Sequence, residues 1–351
     1  MENPLLRTSQ EAVHVTRAGE WWGYKFSPLL ATLYATAGVL ETALWPLAPR
    51  LLLLLLSLTV GAIYVSILND WTDREDDRIA GKTNRLMNKS ARFVAIILTT
   101  CLSIGLGFGI YFWSLNPVIS LFYLGSWMAY SMYSLPPFRL KIRGLGGVLA
   151  DALGAHLFPQ LLVVALVEHW AGQPLPPIWW LAIGSWALAC GIRNILKHQL
   201  GDATADRQAG VRTLVTLQGE RWAHRFGVGV MFPIECLGFA VLLILLGQVA
   251  PVVFLLLYSA LETMRARLWG IRPAVLDPNQ RIVLDEYYTI FFPLALLLTQ
   301  AIRNPADAII LGLHLLLFGR HSLETAHEFQ RLVIKAVRRL LGLPELTDLP
   351  K

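Results

Sequence analysis

Asn69, Asp73 and Asp77 lie four residues apart, with Asp70 beside the first, in the run Asn69-Asp70-Trp71-Thr72-Asp73-Arg74-Glu75-Asp76-Asp77. Asn194, His198, Asp202 and Asp206 repeat the same spacing. On a helix, a step of four turns the face by only about 40°, so each group forms a stripe along one side. Stacked carboxylates repel one another and weaken an isolated helix. A face serving solubility alone would alternate signs. Two acidic stripes facing one cavity suit Mg2+, which takes oxygen ligands from carboxylates, water and substrate phosphates. Cations are interleaved with the acids. Lys82 and Arg85 follow the first stripe, Arg139, Lys141 and Arg143 come next, and Lys197 and Arg212 flank the second. Arg and Lys bind phosphate oxygens, Arg in bidentate fashion. Mg2+ with several cations makes a site for a diphosphate.

Each stripe directly follows an apolar run, one ending at Leu68 and the other at Ile195. Further apolar runs complete the set: 26–45, 51–68, 93–113, 118–135, 147–167, 178–195, 226–247, 249–264 and 287–302, with a shorter tenth at 305–318. A transmembrane helix needs about 20 mostly apolar residues. Many of these runs are too long for strands and lack hairpin alternation, so an all-α polytopic membrane bundle is expected. Composition agrees. Of 351 residues, 55% are hydrophobic and 15% charged, where a soluble domain has roughly 25% charged. This excludes a disordered chain and argues against a soluble one. The N-terminus is polar through Glu20 and has no signal-peptide pattern. Cys101, Cys190 and Cys236 lie in apolar runs without ligand spacing, and read as small buried hydrophobes.

The net charge of +6 is explained by topology. Of 30 Lys and Arg residues, all but Arg50 and Arg303 fall in the N-terminus, alternate loops (69–92, 136–146, 193–225, 265–286) and the tail. Cations favour cytoplasmic loops, so the N-terminus, both stripes and the tail are expected in the cytoplasm. That requires an even number of crossings: ten, or eight plus a re-entrant hairpin at 287–318. The same one-sidedness removes the case for a nucleic-acid partner. The chain divides into a cytoplasmic segment 1–25, a bundle 26–319 and a basic tail 320–351. Within the tail, 324–341 carries apolar and basic sides, as in a helix lying on the membrane surface.

No phosphate-binding Gly-rich loop appears at a strand–helix junction, so the diphosphate is not expected to be a nucleotide. An isoprenyl diphosphate fits better, with its tail in the bundle and its head at the cytoplasmic rim. Bound Mg2+ would stabilise the departing diphosphate. The allylic cation left behind would be shielded from water and faced by aromatic rings.

These residues resemble the UbiA superfamily of membrane prenyltransferases. Asn69, Asp70, Asp73 and Asp77 match its NDxxDxxxD motif, and the likeness continues through Gly81-Lys82-Thr83-Asn84-Arg85. Leu86 stands where the family commonly has Pro. Asp202 and Asp206, followed by Gly210-Val211-Arg212-Thr213, are similar to its second acidic motif, although Asn194 and His198 replace a frequent Asp and Tyr. The stretch Tyr133–Lys141 resembles a loop of the chlorophyll-synthase and homogentisate-prenyltransferase branches. The resemblance covers about residues 20–300. It implies a bundle of usually nine transmembrane helices around a central cavity, and Mg2+-dependent transfer of a prenyl group to a lipophilic acceptor. It implies that Asp70, Asp73 and Asp77 hold one Mg2+, with Asn69 orienting or ligating it, and that Asp202 and Asp206 hold another. Arg85 and Lys141 would contact the diphosphate. Lys82, Arg139, Lys197 and Arg212 are further candidates for that contact, and Asn194 and His198 for supporting the metal or acceptor.

Asp151, Glu235, Asp285 and Glu286 sit near or within apolar runs, as interface residues or functional groups. His156 and His314 read as packing histidines. Two other functions share the motifs. A membrane terpene cyclase would ionise the same donor, and a transporter of phosphorylated lipids would bind without turnover.

Overall fold

The computed structural model describes Glu11 and residues 13–341. Helices joined by short turns make up nearly all of it. They are α1 (18–39), α2 (Ala48–Thr72), α3 (Arg74–Ile79), α4 (Ala91–Leu115), α5 (Pro117–Ser134) and α6 (Leu145–Ala171). The second half holds α7 (Pro177–Gln208), α8 (Leu214–Gln218), α9 (Glu220–Leu246), α10 (Val249–Trp269), α11 (287–303) and α12 (Pro305–Leu340). Among the described residues the only extended pairing is two isolated bridges, Gly144–Thr213 and Ala274–Ile282. Among the described residues, six helices are long and apolar enough to cross a membrane: α2, α4, α6, α9, α10 and α12. Every apolar run in the sequence lies largely on a helix.

Local chemistry sets the helix ends. The Ser90 hydroxyl accepts from the Phe93 amide at 3.2 Å and Asn116 Oδ1 from the Val118 amide at 2.9 Å, opening α4 and α5. Pro117, Pro177 and Pro305 occupy first turns, where no amide hydrogen is needed. Gly172 ends α6 at φ 65°, a left-handed conformation that costs glycine little.

Among the described residues, four helices carry a π-turn: Trp22–Phe26 in α1, Leu153–Leu157 in α6, Gly227–Met231 in α9 and Tyr287–Phe291 in α11. Each is followed after one residue by a proline: Pro28, Pro159, Pro233 and Pro293. Proline lacks an amide hydrogen and crowds the carbonyl four residues back, and in all four cases that carbonyl lies inside the π-turn. In α11 the freed carbonyl belongs to Thr289, and the Ser27 hydroxyl of α1 donates to it at 2.6 Å.

The main core is built from α1, α6, α7, α9 and α11, around Leu33, Leu166, Trp179 and Phe292. Gly191 on α7 lets α6 approach closely: a Cβ there would meet Ala152 Cα at 3.0 Å. Large aliphatic side chains such as Ile110, Leu237 and Leu316 point outward, as a lipid-facing surface requires.

Two features depart from the sequence expectations. Arg193, counted there with the cytoplasmic loop 193–225, is 1% exposed and forms a double hydrogen bond with Glu235 at 2.7 Å, while the Tyr288 hydroxyl donates to the same carboxylate. A lone charge at that depth is very costly, so the sequence supplies both signs. The tail expected to begin at 320 shows no break, because α12 runs on to Leu340. Arg265 of α10 is fully buried and holds that helix through Glu328 at 2.6 Å, while also binding Glu262 and Glu286. Residues 342–351 of the expected tail lie outside the described residues, as do 1–10 and Ala12 of the expected N-terminal segment.

Candidate active site

The first stripe spans a break. α2 ends at Thr72, and Asp73 caps it before α3 begins. The Asp73 amide still donates to Asn69 O at 3.0 Å and the Asp77 amide to Asp73 O at 2.8 Å. Helical spacing therefore passes through the break and the stripe persists. The following loop folds back on it. Asn84 Nδ2 donates to the Asp70 carbonyl at 2.7 Å and to Asp77 Oδ2 at 2.8 Å. Leu86 is fully buried against Ile67 and Val94, so an apolar anchor fixes the loop at the position where proline was expected.

Each acid of the rim has a partner. Asp70 is buried, 3.3 Å from Arg17 and 3.9 Å from Arg85. Glu20 binds both of those guanidinium groups. Asp73 pairs with Lys141, and Asp76 with Arg139 at 2.7 Å. The Ser134 hydroxyl donates to Asn69 Oδ1 at 2.5 Å. The loop between α5 and α6 thus lies over the first stripe. Burial pushes the Lys141 ammonium down to about 8.

The second stripe sits on the continuous helix α7. Lys82 reaches across from the first loop to Asp202 at 2.8 Å. The Gly144 amide donates to the Arg212 carbonyl at 3.1 Å, tying the loop before α6 to the loop after α7. Asp206 is half-buried. Burial pushes its carboxyl up and Asp202 adds to this, against Lys82 and the Thr213 hydroxyl.

Below this rim lies a cavity of about 290 Å³ between α1, α2, α5, α6 and α7. Asn69, Asn194 and His198 line it, with Asp151 and Tyr130. Lys25 projects into it from the π-turn of α1, 2.8 Å from His156 Nε2 on the π-turn of α6. Aromatic side chains Trp21, Phe26, Tyr123 and Trp127 form much of the remaining wall.

Asn69, Asp70, Asp73, Asp77, Lys82, Arg85, Arg139, Lys141 and Asp202 are therefore brought into one connected rim, with Asp206 a turn beyond Asp202. Two candidates turn away. Lys197 donates to the Gln280 carbonyl at 3.3 Å, and the Arg212 side chain is exposed while its carbonyl makes the contact to Gly144. Sequence reasoning missed Arg17, Glu20, Lys25 and Ser134. The two cations had a sufficient explanation in the one-sided charge of the chain, and no short-range spacing linked any of the four to the stripes.

Among the described residues, no three His, Cys, Asp or Glu side chains converge on one point. The donors are nonetheless the hard oxygens that a divalent cation needs. Asp70 Oδ2 is buried without a hydrogen-bond partner, an acceptor that a cation would satisfy. Asn69, Asp70, Asp73 and Asp77 on one side, with Asp202 and Asp206 on the other, fit such a metal.

The fold has solved relatives. A UbiA homolog from Archaeoglobus fulgidus bound to GPP and Mg2+ superimposes with a TM-score of 0.53 and 15% identity, covering 85% of this chain and 99% of that one. Bound to DMAPP and Mg2+, it gives a TM-score of 0.54 and 15% identity, with coverage of 83% and 99%. A third structure of a homolog from the same organism gives 0.55 and 17%, with coverage of 85% and 99%. At such identities the likeness is one of fold. No curated protein matches the chain. The model of the UbiA prenyltransferase family matches residues 27–277, most of the chain including both acidic stripes, and the chain belongs to that family.

Proposed function

We propose that the protein transfers an isoprenyl group from a prenyl diphosphate to a lipophilic acceptor, with Mg2+ as its metal, at the cytoplasmic rim of a membrane bundle. The observation that carries this reading is the Lys82–Asp202 pair at 2.8 Å. It joins the two acidic stripes at the mouth of a cavity with aromatic and aliphatic walls. The ligands of the Archaeoglobus fulgidus homolog, GPP or DMAPP with Mg2+, are of the class this arrangement suits.

Asn69, Asp70, Asp73 and Asp77 would hold one Mg2+, and Asp202 and Asp206 another. The metal supplies positive charge to a departing diphosphate. Arg17, Lys82, Arg139 and Lys141 each rest on a rim carboxylate. They are thereby held within reach of diphosphate oxygens lying between the stripes, and Arg85 beside Asp70 joins them. The aromatic walls exclude water from the allylic cation and turn their faces to it. Asn194 and His198, on the cavity side of the second stripe, are placed to meet the acceptor.

The interlocked cation-rich loops support a single cytoplasmic end, even with Arg193 and Arg265 set aside as internal ion pairs. The helices at all ten apolar runs support ten crossings. Residues 18–25 and 320–340 then continue α1 and α12 beyond the cytoplasmic face.

The test is incubation of purified protein with Mg2+ and prenyl diphosphates, with and without a phenolic lipid. A prenylated phenol, lost in Asp73→Asn, is expected. A cyclic hydrocarbon formed without acceptor would make the protein a cyclase. Binding without turnover, unchanged in Asp73→Asn, would make it a transporter.

A further inference from the structure

We infer that residues 13–21 form a strap over the first acidic stripe and complete the diphosphate site from the N-terminal side, with Arg17 as the ligand they deliver and Val15 as the residue that positions it. The inference rests on the donor reading of the rim. The strap precedes the residues matched by the family model, which begin at 27.

An apolar plug and an ion pair dock the strap. Val15 is 7% exposed and packs with Ile67 of α2, Leu86 of the loop after α3 and Val94 of α4. Just before it, Glu11 accepts from Lys89 at 2.6 Å. The chain then turns sharply. Arg17 stands at φ 58° and ψ 25°, a left-handed conformation that residues other than glycine rarely adopt. The Arg17 amide donates to the His14 carbonyl at 3.2 Å, and the Trp21 indole to the Thr16 carbonyl at 2.9 Å. A side chain persists in that conformation only where its surroundings hold it, and such positions gather at ligand clamps.

The turn carries Arg17 to the cavity mouth, which it lines together with Glu20 and Trp21. A guanidinium has five N–H donors. Here Nε and Nη2 each donate to Glu20, and Nη1 donates to Asp70 at 3.3 Å. Three donors are engaged and two remain for an anion. Glu20 also binds Arg85 from the loop after α3. One carboxylate thereby holds two guanidinium groups beside the same aspartate, an arrangement suited to the several oxygens of a diphosphate.

The experiment uses the full chain in lipid nanodiscs with Mg2+. It reads amide exchange and the binding of geranyl diphosphate, with geraniol as the ligand that lacks the diphosphate. Saturating geranyl diphosphate should slow exchange at 13–21 by roughly tenfold, and geraniol should not. Arg17→Gly relieves the left-handed turn and removes only the side chain. It should weaken geranyl diphosphate by roughly tenfold or more and leave geraniol unchanged. Should that variant fold poorly, Arg17→Gln carries the same expectation. Val15→Ser should speed exchange at 13–21 and weaken geranyl diphosphate to a similar degree, while Val15→Ile should keep both near the parent. Val15→Ser combined with Arg17→Gly should bind no worse than Arg17→Gly alone, because both act through one guanidinium. Parent-like affinity in Arg17→Gly, or exchange at 13–21 that ignores the donor, would overturn the strap and leave the donor reading standing. So would equal losses for geraniol, or losses that add in the double variant. If geranyl diphosphate does not bind the parent, the donor reading itself falls, and the strap's role with it.

Discussion

Lys25 and His156 meet beside the cavity at 2.8 Å, each standing on a π-turn followed after one residue by a proline. Lysine can only donate, so His156 Nε2 accepts and its ring proton is assigned to Nδ1. Lys25 thus lines the cavity with His156 as its partner. Lys25→Met should fold and melt as the parent does while turnover drops by roughly 100-fold. Turnover within a factor of two of the parent would reduce the pair to a packing contact.

The Lys82–Asp202 pair is partly solvent-exposed, so it should contribute no more than about 1 kcal/mol to stability. Its value should lie in the reaction. Asp202→Asn is expected to lose at least about 100-fold in turnover, with a thermal midpoint within about 4 °C of the parent. Lys82→Ala should raise the donor KM by roughly tenfold. A matching collapse of thermal stability in both variants would show instead that the pair holds the rim together.

Arg193 and Glu235 should behave in the opposite way. Breaking this buried pair with Glu235→Leu should cost about 3–5 kcal/mol, because the guanidinium is left uncompensated. Replacing both, as Arg193→Met with Glu235→Leu, should recover most of that loss. Chemical unfolding of the two variants checks the order, and activity per folded molecule should stay near the parent value.

The anchor of α12 should respond to acid. Burial would raise the Glu286 carboxyl, but hydrogen bonds from Arg265 and Thr325 outweigh it, with Arg281 assisting, and hold it below its ordinary value of 4.5. A lowered folded value means that the contribution is complete above the unfolded value and disappears as pH falls through the folded one. Amide exchange in 325–335 should therefore accelerate only below about pH 4.5. In Glu286→Gln it should already be fast at neutral pH. Acid-insensitive exchange in the parent would show that other contacts hold the helix.

The sequence was most legible where the information is local. Apolar runs landed on helices, and the spacing of four survived even the break at Asp73. What it lacked were partners distant along the chain. Arg193 reads as a cytoplasmic-loop cation because nothing near it in the sequence announces Glu235. Arg17 and Lys25 looked like topology signals because their roles depend on Asp70 and His156, on other helices. The change in composition near 320 suggested a separate tail, yet the backbone hydrogen bonds of α12 continue across it and Arg265 keeps Glu328 close. Low charge density marks where a helix is buried in lipid, and it carries no information about where the helix stops.

The π-turns at Trp22–Phe26 and Leu153–Leu157 have a consequence for how the rim could change over evolutionary time. A π-turn holds one residue more than a regular turn would, and one residue is worth about 100° of rotation. Each acts as a phase shifter between the solvent-side stretch of its helix and the stretch packed below. Losing a single residue there would swing Arg17 and Glu20, or Asp151, away from the mouth and leave the lower walls in register. The polar chemistry at the top of the cavity and the apolar mould beneath it are, in that sense, separately adjustable parts of one helix.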